Sequence, residues 1–135
     1  MAKNKSAGSL DTNVLLRLLL DDVSSHTQAV ETLLAQGKVF EIADAAIIEM
    51  IFVLEKVYGF ARADVQENTY AIVRHEQFIC NKVLFECALP LYVNRDKLSI
   101  MDCILLSYAR VNNAIPLWTF DRDLAKLSEG AAQTI

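Results

Sequence analysis

Four carboxylates in this chain have residue types and surroundings that could do chemistry. Asp11 follows the apolar opening of "SLDTNVLLRLLLDD", Glu49 lies inside "AAIIEMIFVLEKV", Asp102 inside "LSIMDCILLSYA", and Asp121 follows "PLWTF". Each has an ordinary explanation. Asp11 and Asp121 can cap the helices that follow them. Ser99 and Asp102 have the spacing of a capping box, and an acid in a first helical turn suits the helix dipole. Glu49 can face a strip of solvent. The chemical alternative treats the four together. An ionised carboxylate among Ile47, Ile48, Met50, Ile51 and Phe52 is costly unless it is paired or binds a metal. Carboxylates are hard oxygen ligands suited to Mg²⁺ or Mn²⁺, and a cluster of them without zinc-type ligands fits metal-assisted phosphodiester hydrolysis. Asp123 is the weaker ligand candidate, since it falls inside the next helix. Glu55, six positions after Glu49, lies about 120° away around a helix and reads as solvated.

Positioning these acids requires elements that end near them. Residues 7–11 read as a short buried strand and 12–20 as a short helix. Ser24 or Ser25 is expected to cap a second helix running to about Gln36, with Ala29, Val30, Leu33 and Leu34 on one face and Gly37 ending it. Residues 38–43 read as a strand. Asp44 is expected to cap a long helix through Tyr58, closed by Gly59, and a further helix spans about 62–77. Residues 78–85 are part strand. Residues 87–95 read as helix, with Pro90 admissible only in its first turn. Ser99 caps a helix to about Asn112, 114–120 is a strand with Pro116 near its start, 122–128 a short helix, and 131–135 an edge strand. Strands separated by helices predict an α/β fold: one domain over 1–135, with a central parallel sheet of about four to five strands flanked by helices on both sides. In such sheets, sites lie beyond the carboxyl ends of the strands.

Composition narrows the function. The chain has 135 residues, 53% of them hydrophobic, enough for a sizeable core. No apolar run approaches the roughly 18 residues of a membrane span, and residues 1–8 carry two lysines without a following hydrophobic signal region. The expectation is a soluble, cytoplasmic protein. Cys80, Cys87 and Cys103 form no C-x-x-C pair and read as free thiols in a reducing compartment. The net charge of −4 disfavours a coat that grips nucleic acid through phosphates alone. Four clustered acids would account for about −4, and two divalent cations would supply about +4, so an RNA substrate stays open. His26 and His75 read as surface residues, which leaves a paired-histidine mechanism without support. No G-x-x-x-x-G-K-[ST] loop is present, which argues against a nucleotide triphosphatase.

"LDTNVLLRLLL" near the start, "IIEMIFVLEKVYGF" in the middle and "IMDCILLSYARVNNAIPLWTFDRDLAKL" near the end together resemble the PIN-domain ribonucleases, in particular the VapC-type toxins of toxin–antitoxin pairs. The resemblance covers nearly the whole chain. It implies that Asp11, Glu49, Asp102 and Asp121 are the four family acids and metal ligands, with Asn13 and Thr119 at supporting polar positions. It further implies a PIN-like parallel sheet between helices, cleavage of RNA dependent on one or two Mg²⁺ or Mn²⁺ ions, a homodimer and a small antitoxin partner. Two features depart from the family pattern: "LSIMD", where many relatives have an aromatic and an alanine before the third acid, and the stretch ahead of the first strand.

On this reading the acids hold the metal, an activated water attacks phosphorus in line, and the products carry 5′-phosphate and 3′-hydroxyl ends. Asn13 and Thr119 would orient acids or water. Two other classes compete. One is a catalytically silent PIN-like module that binds RNA, or that binds protein through the helices around 44–78; in the toxin reading the helix from Asp44, more apolar than one sheet face requires, forms with the next helix a groove for an amphipathic antitoxin segment. The other is a phosphatase with Asp11 as nucleophile, but "DTN" lacks the second aspartate two positions later.

Overall fold

A computed structural model describes residues 6–20 and 22–135. Lys3 and Lys5, the two lysines of the N-terminal stretch, lie outside the described residues, as does Asp21. The chain divides into two compact units, Met1–Asn81 and Lys82–Ile135.

In the first unit the predicted opening strand is an extended segment rather than a full strand. Ala7 N donates to Val39 O (2.7 Å), Glu41 N to Gly8 O (2.8 Å) and Leu10 N to Glu41 O (3.0 Å), with a single parallel bridge between Ser9 and Glu41. The expected strand over 38–43 contracts to β1 (Phe40–Glu41), which pairs in parallel with β2 (Phe78–Ile79). Leu10, Phe40, Ile42 and Phe78 are buried while Glu41 and Ile79 are exposed, so these strands bury one face.

Among the described residues, four helices complete this unit. Helix α1 (Thr12–Leu19) turns Thr12, Leu15 and Leu16 inward. Helix α2 (Ser24–Leu34) starts one residue too early for Ser24 to cap it and two too early for Ser25. Its cap is Val23, with no side-chain hydrogen bond, and Thr27 instead bonds back to the Val23 carbonyl (3.3 Å). Helix α3 (Asp44–Lys56) likewise has Ala43 at its cap. Asp44 is its first helical residue, where its charge suits the dipole without capping. Ile47, Met50, Ile51 and Leu54, at helical spacing, form its buried stripe. Helix α4 (Arg62–Val73) ends before the expected 77. The chain turns there, with the His75 ring stacked on Phe78 at 4.3 Å and its Nδ1 accepting from Gln77 N at 3.1 Å.

The second unit begins with α5 (Lys82–Asn94), five residues earlier than expected. Pro90 therefore lies well inside the helix, not in its first turn. Proline has no N–H to give to the helical ladder, and here it lies on the exposed side of the helix. Helix α6 (Ile100–Val111) packs on α5. Phe85, Leu89, Tyr92, Cys103 and Leu106 are fully buried, and each large side chain contributes about 1.5–3 kcal/mol of apolar burial. Then β3 (Leu117–Thr119), α7 (Arg122–Leu127) and β4 (Ala132–Thr134) form a β-α-β crossover. Its strands are parallel, with Leu117 opposite Ala132 and Thr119 opposite Thr134.

The α/β class and the parallel sense of the strands agree with the sequence reading. The continuous sheet of four to five strands does not: among the described residues the named strands form two separate parallel pairs.

Candidate active site

In the first unit, Asp11 is exposed at the N-terminus of α1 and caps it, Oδ1 accepting from Val14 N at 3.1 Å. The next residue ties this end of α1 to α3. Thr12, only 8% exposed, donates its hydroxyl to the Ala46 carbonyl at 3.2 Å. Glu49 stands one turn beyond Ala46 on α3. Glu49 is exposed, so the sequence-based picture of a buried carboxylate is corrected. The apolar run misleads because Phe52 is itself 53% exposed and does not help enclose the acid.

Asp11 and Asn13 line a shallow groove of about 270 Å³ with Val14, Arg17, His26, Ala29 and Val30. Arg17 is ion-paired with Asp22, whose other oxygen accepts from the Tyr58 hydroxyl at 3.0 Å. His26 is exposed, as expected, but it borders the same groove as Asp11.

In the second unit, three acids share one cleft. Asp102, Asp121 and Asp123 line a cavity of about 360 Å³ together with Lys97 and Lys126, over an apolar floor of Leu98, Leu124 and Leu127. Asp102 completes the capping box anticipated from its spacing: Ser99 N donates to Asp102 Oδ2, and Asp102 N donates to Ser99 Oγ, both at 3.1 Å. Asp121 caps α7, its Oδ1 accepting from Asp123 N and Leu124 N, each at 3.0 Å. Thr119, at the end of β3, accepts from Asp121 N at 3.0 Å and so fixes the turn that carries this acid.

The capping and ligand readings are therefore compatible. A carboxylate offers about four lone-pair sites on two oxygens, and each cap engages only one oxygen. Among the described residues, Asp102 Oδ1 and Asp121 Oδ2 accept no hydrogen bond. The caps lock both side chains while leaving an oxygen for another partner.

The donors suit a hard cation. The cleft is lined by carboxylates and lysines, without histidine or cysteine, which fits Mg²⁺ or Mn²⁺ better than zinc. Among the described residues no three His, Cys, Asp or Glu side chains are gathered into a complete ligand set. Mg²⁺ commonly keeps several waters and takes only one or two carboxylates, so the donor chemistry fits without such a cage.

Residues 9–130 match the PIN-domain family. The chain belongs to this family. It is also similar to a VapC ribonuclease of Aquifex aeolicus (strain VF5), 30% identical over 122 residues that cover 87% of this chain and 90% of that protein. The family match begins two residues before Asp11 and extends past Asp123, so it also takes in Glu49, Asp102 and Asp121.

Within this PIN domain, Asp123 faces the same cleft as Asp102 and Asp121, although its place inside α7 makes it the weaker candidate in sequence. Lys97 and Lys126 were not anticipated. Each is a single lysine five positions from an acid, Lys97 before Asp102 and Lys126 after Asp121, and only the fold brings both to one cavity. Among the described residues no helix is long and apolar enough to cross a membrane.

Proposed function

We propose that this PIN-domain protein is a divalent-metal-dependent endoribonuclease and the toxin of a type II toxin–antitoxin pair. The observation that carries the reading is the similarity to a VapC ribonuclease across 87% of the chain. The oxygen-donor cleft of the second unit supports it. In this reading the chain is a single nuclease domain, and Asp11, Glu49, Asp102 and Asp121 hold one or two Mg²⁺ or Mn²⁺ ions, with Asp123 supporting them. When bound, such an ion supplies Lewis acidity toward a phosphoryl oxygen and acidifies a water.

The side chains do the rest. Asp121 is held by the Asp123 and Leu124 amides and by the Thr119 hydroxyl on its own amide. Its second oxygen therefore needs no reorientation, an economy typical of preorganised sites. Asp102 is held in the same way by the Ser99 amide. One of the carboxylates takes the proton of the attacking water. Lys97 and Lys126 offset the repulsion between an acidic cleft and an incoming phosphate. In-line attack by water leaves 5′-phosphate and 3′-hydroxyl ends. The partner would be a small antitoxin with an amphipathic segment, docking on the exposed apolar side chains Phe52, Val57 and Tyr58 of α3 and its C-terminal end. The working state would be a cytoplasmic homodimer.

The test is cleavage of single-stranded RNA scored against small phosphoesters, with Mn²⁺ and with EDTA. RNA cleavage that requires the metal supports the proposal. Hydrolysis of small phosphoesters alone would move the protein to the phosphatases, and inactivity on both would leave a binding module.

A further inference from the structure

Directly before Asp121 the chain exposes two aromatic rings. Trp118 in β3 is 58% exposed and Phe120, just after the strand, is 81% exposed. Between them Thr119 is half-buried and bonds to the Asp121 amide. Exposure alternates along the end of β3 and the bend that follows it, with Trp118 and Phe120 open to solvent and Thr119 turned toward the protein. Leaving large rings in water is unfavourable, and clustered exposed apolar surface marks an interaction site. The adjoining cleft carries two lysines among its three acids, Lys97 and Lys126, cations that a phosphodiester backbone can meet and that an apolar protein surface would leave unpaired.

We propose that Trp118 and Phe120 form a stacking platform for unpaired bases of single-stranded RNA, setting the strand so that its backbone enters the Asp102–Asp121–Asp123 cleft. The proposal rests on the ribonuclease reading and adds how the substrate is gripped. Aromatic side chains that stack successive bases, next to cations that meet the backbone, are the usual means of binding single strands without strong sequence preference. A strand rises about 3.3 Å per residue, so positions two apart are about 6.6 Å apart. That is about twice the roughly 3.4 Å rise between stacked bases, so the two rings can hold neighbouring bases only when these are unstacked and splayed apart, as in a single strand. Duplex RNA has its base faces stacked internally and offers the rings nothing. With only two lysines in the cleft, the affinity should depend weakly on salt, with a log–log slope of about −1.4.

Trp118 is the one tryptophan in the sequence, so its fluorescence reports on the platform directly. Metal-free protein in EDTA is titrated with a short single-stranded oligoribonucleotide and with the same sequence as a duplex. The single strand should quench the emission and the duplex should not. In Mn²⁺, Trp118→Ala and Phe120→Ala should each raise the KM for RNA by about 5- to 150-fold, with kcat falling less than KM rises. Trp118→Phe should stay near the parent, and melting temperatures should hold because the rings are exposed.

Parent-like KM in both alanine variants of an active nuclease would overturn the platform and leave the ribonuclease reading intact. Quenching by the single strand alone in a protein that never cleaves RNA would uphold the platform and sink the ribonuclease reading. Alanine variants that break an oligomer without changing RNA affinity would assign the rings to a protein interface and overturn the proposal.

Discussion

Asp11→Asn separates the cap that Asp11 forms from the ligand role proposed for it. As a cap, Asp11 gives one hydrogen bond to Val14 N at 3.1 Å, at an exposed helix end. Asparagine caps about as well as aspartate, so the fold should lose no more than a few tenths of a kcal/mol; alanine, which cannot cap, should cost about 1 kcal/mol. For 135 residues the unfolding entropy is about 280 cal/mol/K, so 1 kcal/mol corresponds to about 3.5 °C in Tm. Asp11→Asn should therefore melt with the parent and Asp11→Ala about 3.5 °C below it. Activity should not follow that order. Both changes remove the charge of the proposed ligand, and both should lower RNA cleavage at least about a hundredfold, some 2.7 kcal/mol of barrier. Asp11→Ser, a cap without a carboxylate, should match asparagine on both counts. Melting and cleavage are measured on the same preparations. An Asp11→Asn protein that cuts RNA at the parent rate would leave capping as the whole role of this residue.

Three further outcomes are expected. Thr12→Val removes the buried hydroxyl that bonds to the Ala46 carbonyl; thermal melting should fall by about 3–7 °C, for a loss of about 1–2 kcal/mol, and Thr12→Ser should recover most of it. Ser99→Ala breaks half of the capping box and should cost about 1 kcal/mol of stability with cleavage largely kept. Asp102→Asn should show the reverse, little change in melting and loss of cleavage. Mn²⁺ added to EDTA-treated protein at about a hundred times its Kd should stabilise by about 2.7 kcal/mol, raising Tm by about 9 °C; an unmoved melting curve would count against metal binding.

The parts legible in the sequence are those set by local chemistry. Asp11, Asp121 and the Ser99–Asp102 pair cap as their types and spacing indicate, and α1, α6 and α7 begin where those caps stand. Where no side chain fixes the start, sequence and structure part. Val23 and Ala43 occupy cap positions expected for Ser24 or Ser25 and for Asp44. The cost of an interior proline places Pro90 at a helix start, but the apolar stripe of Leu84, Phe85, Ala88, Leu89 and Tyr92 carries α5 past it. The strands are shorter than their residue types suggest because β-propensity does not say how many residues find a partner. Glu49 shows a similar limit: apolar neighbours in sequence say that a helix is buried somewhere, not which side of it. The cleft lysines become visible only through tertiary packing, since a solitary lysine has no pattern to recognise. Trp118 and Phe120 carry the opposite risk, as their period-two placement reads equally well as a buried strand face until exposure is known.

In the proposed function these acids support metal-dependent hydrolysis of RNA by water. The most direct measurement is end-group analysis of the products formed from a single-stranded RNA of defined sequence, with Mg²⁺ or Mn²⁺ and with EDTA. Internal cuts that require the metal are expected, with 5′-phosphate on one fragment and 3′-hydroxyl on the other. Cleavage that persists in EDTA, or fragments ending in a 2′,3′-cyclic phosphate, would contradict the proposed function.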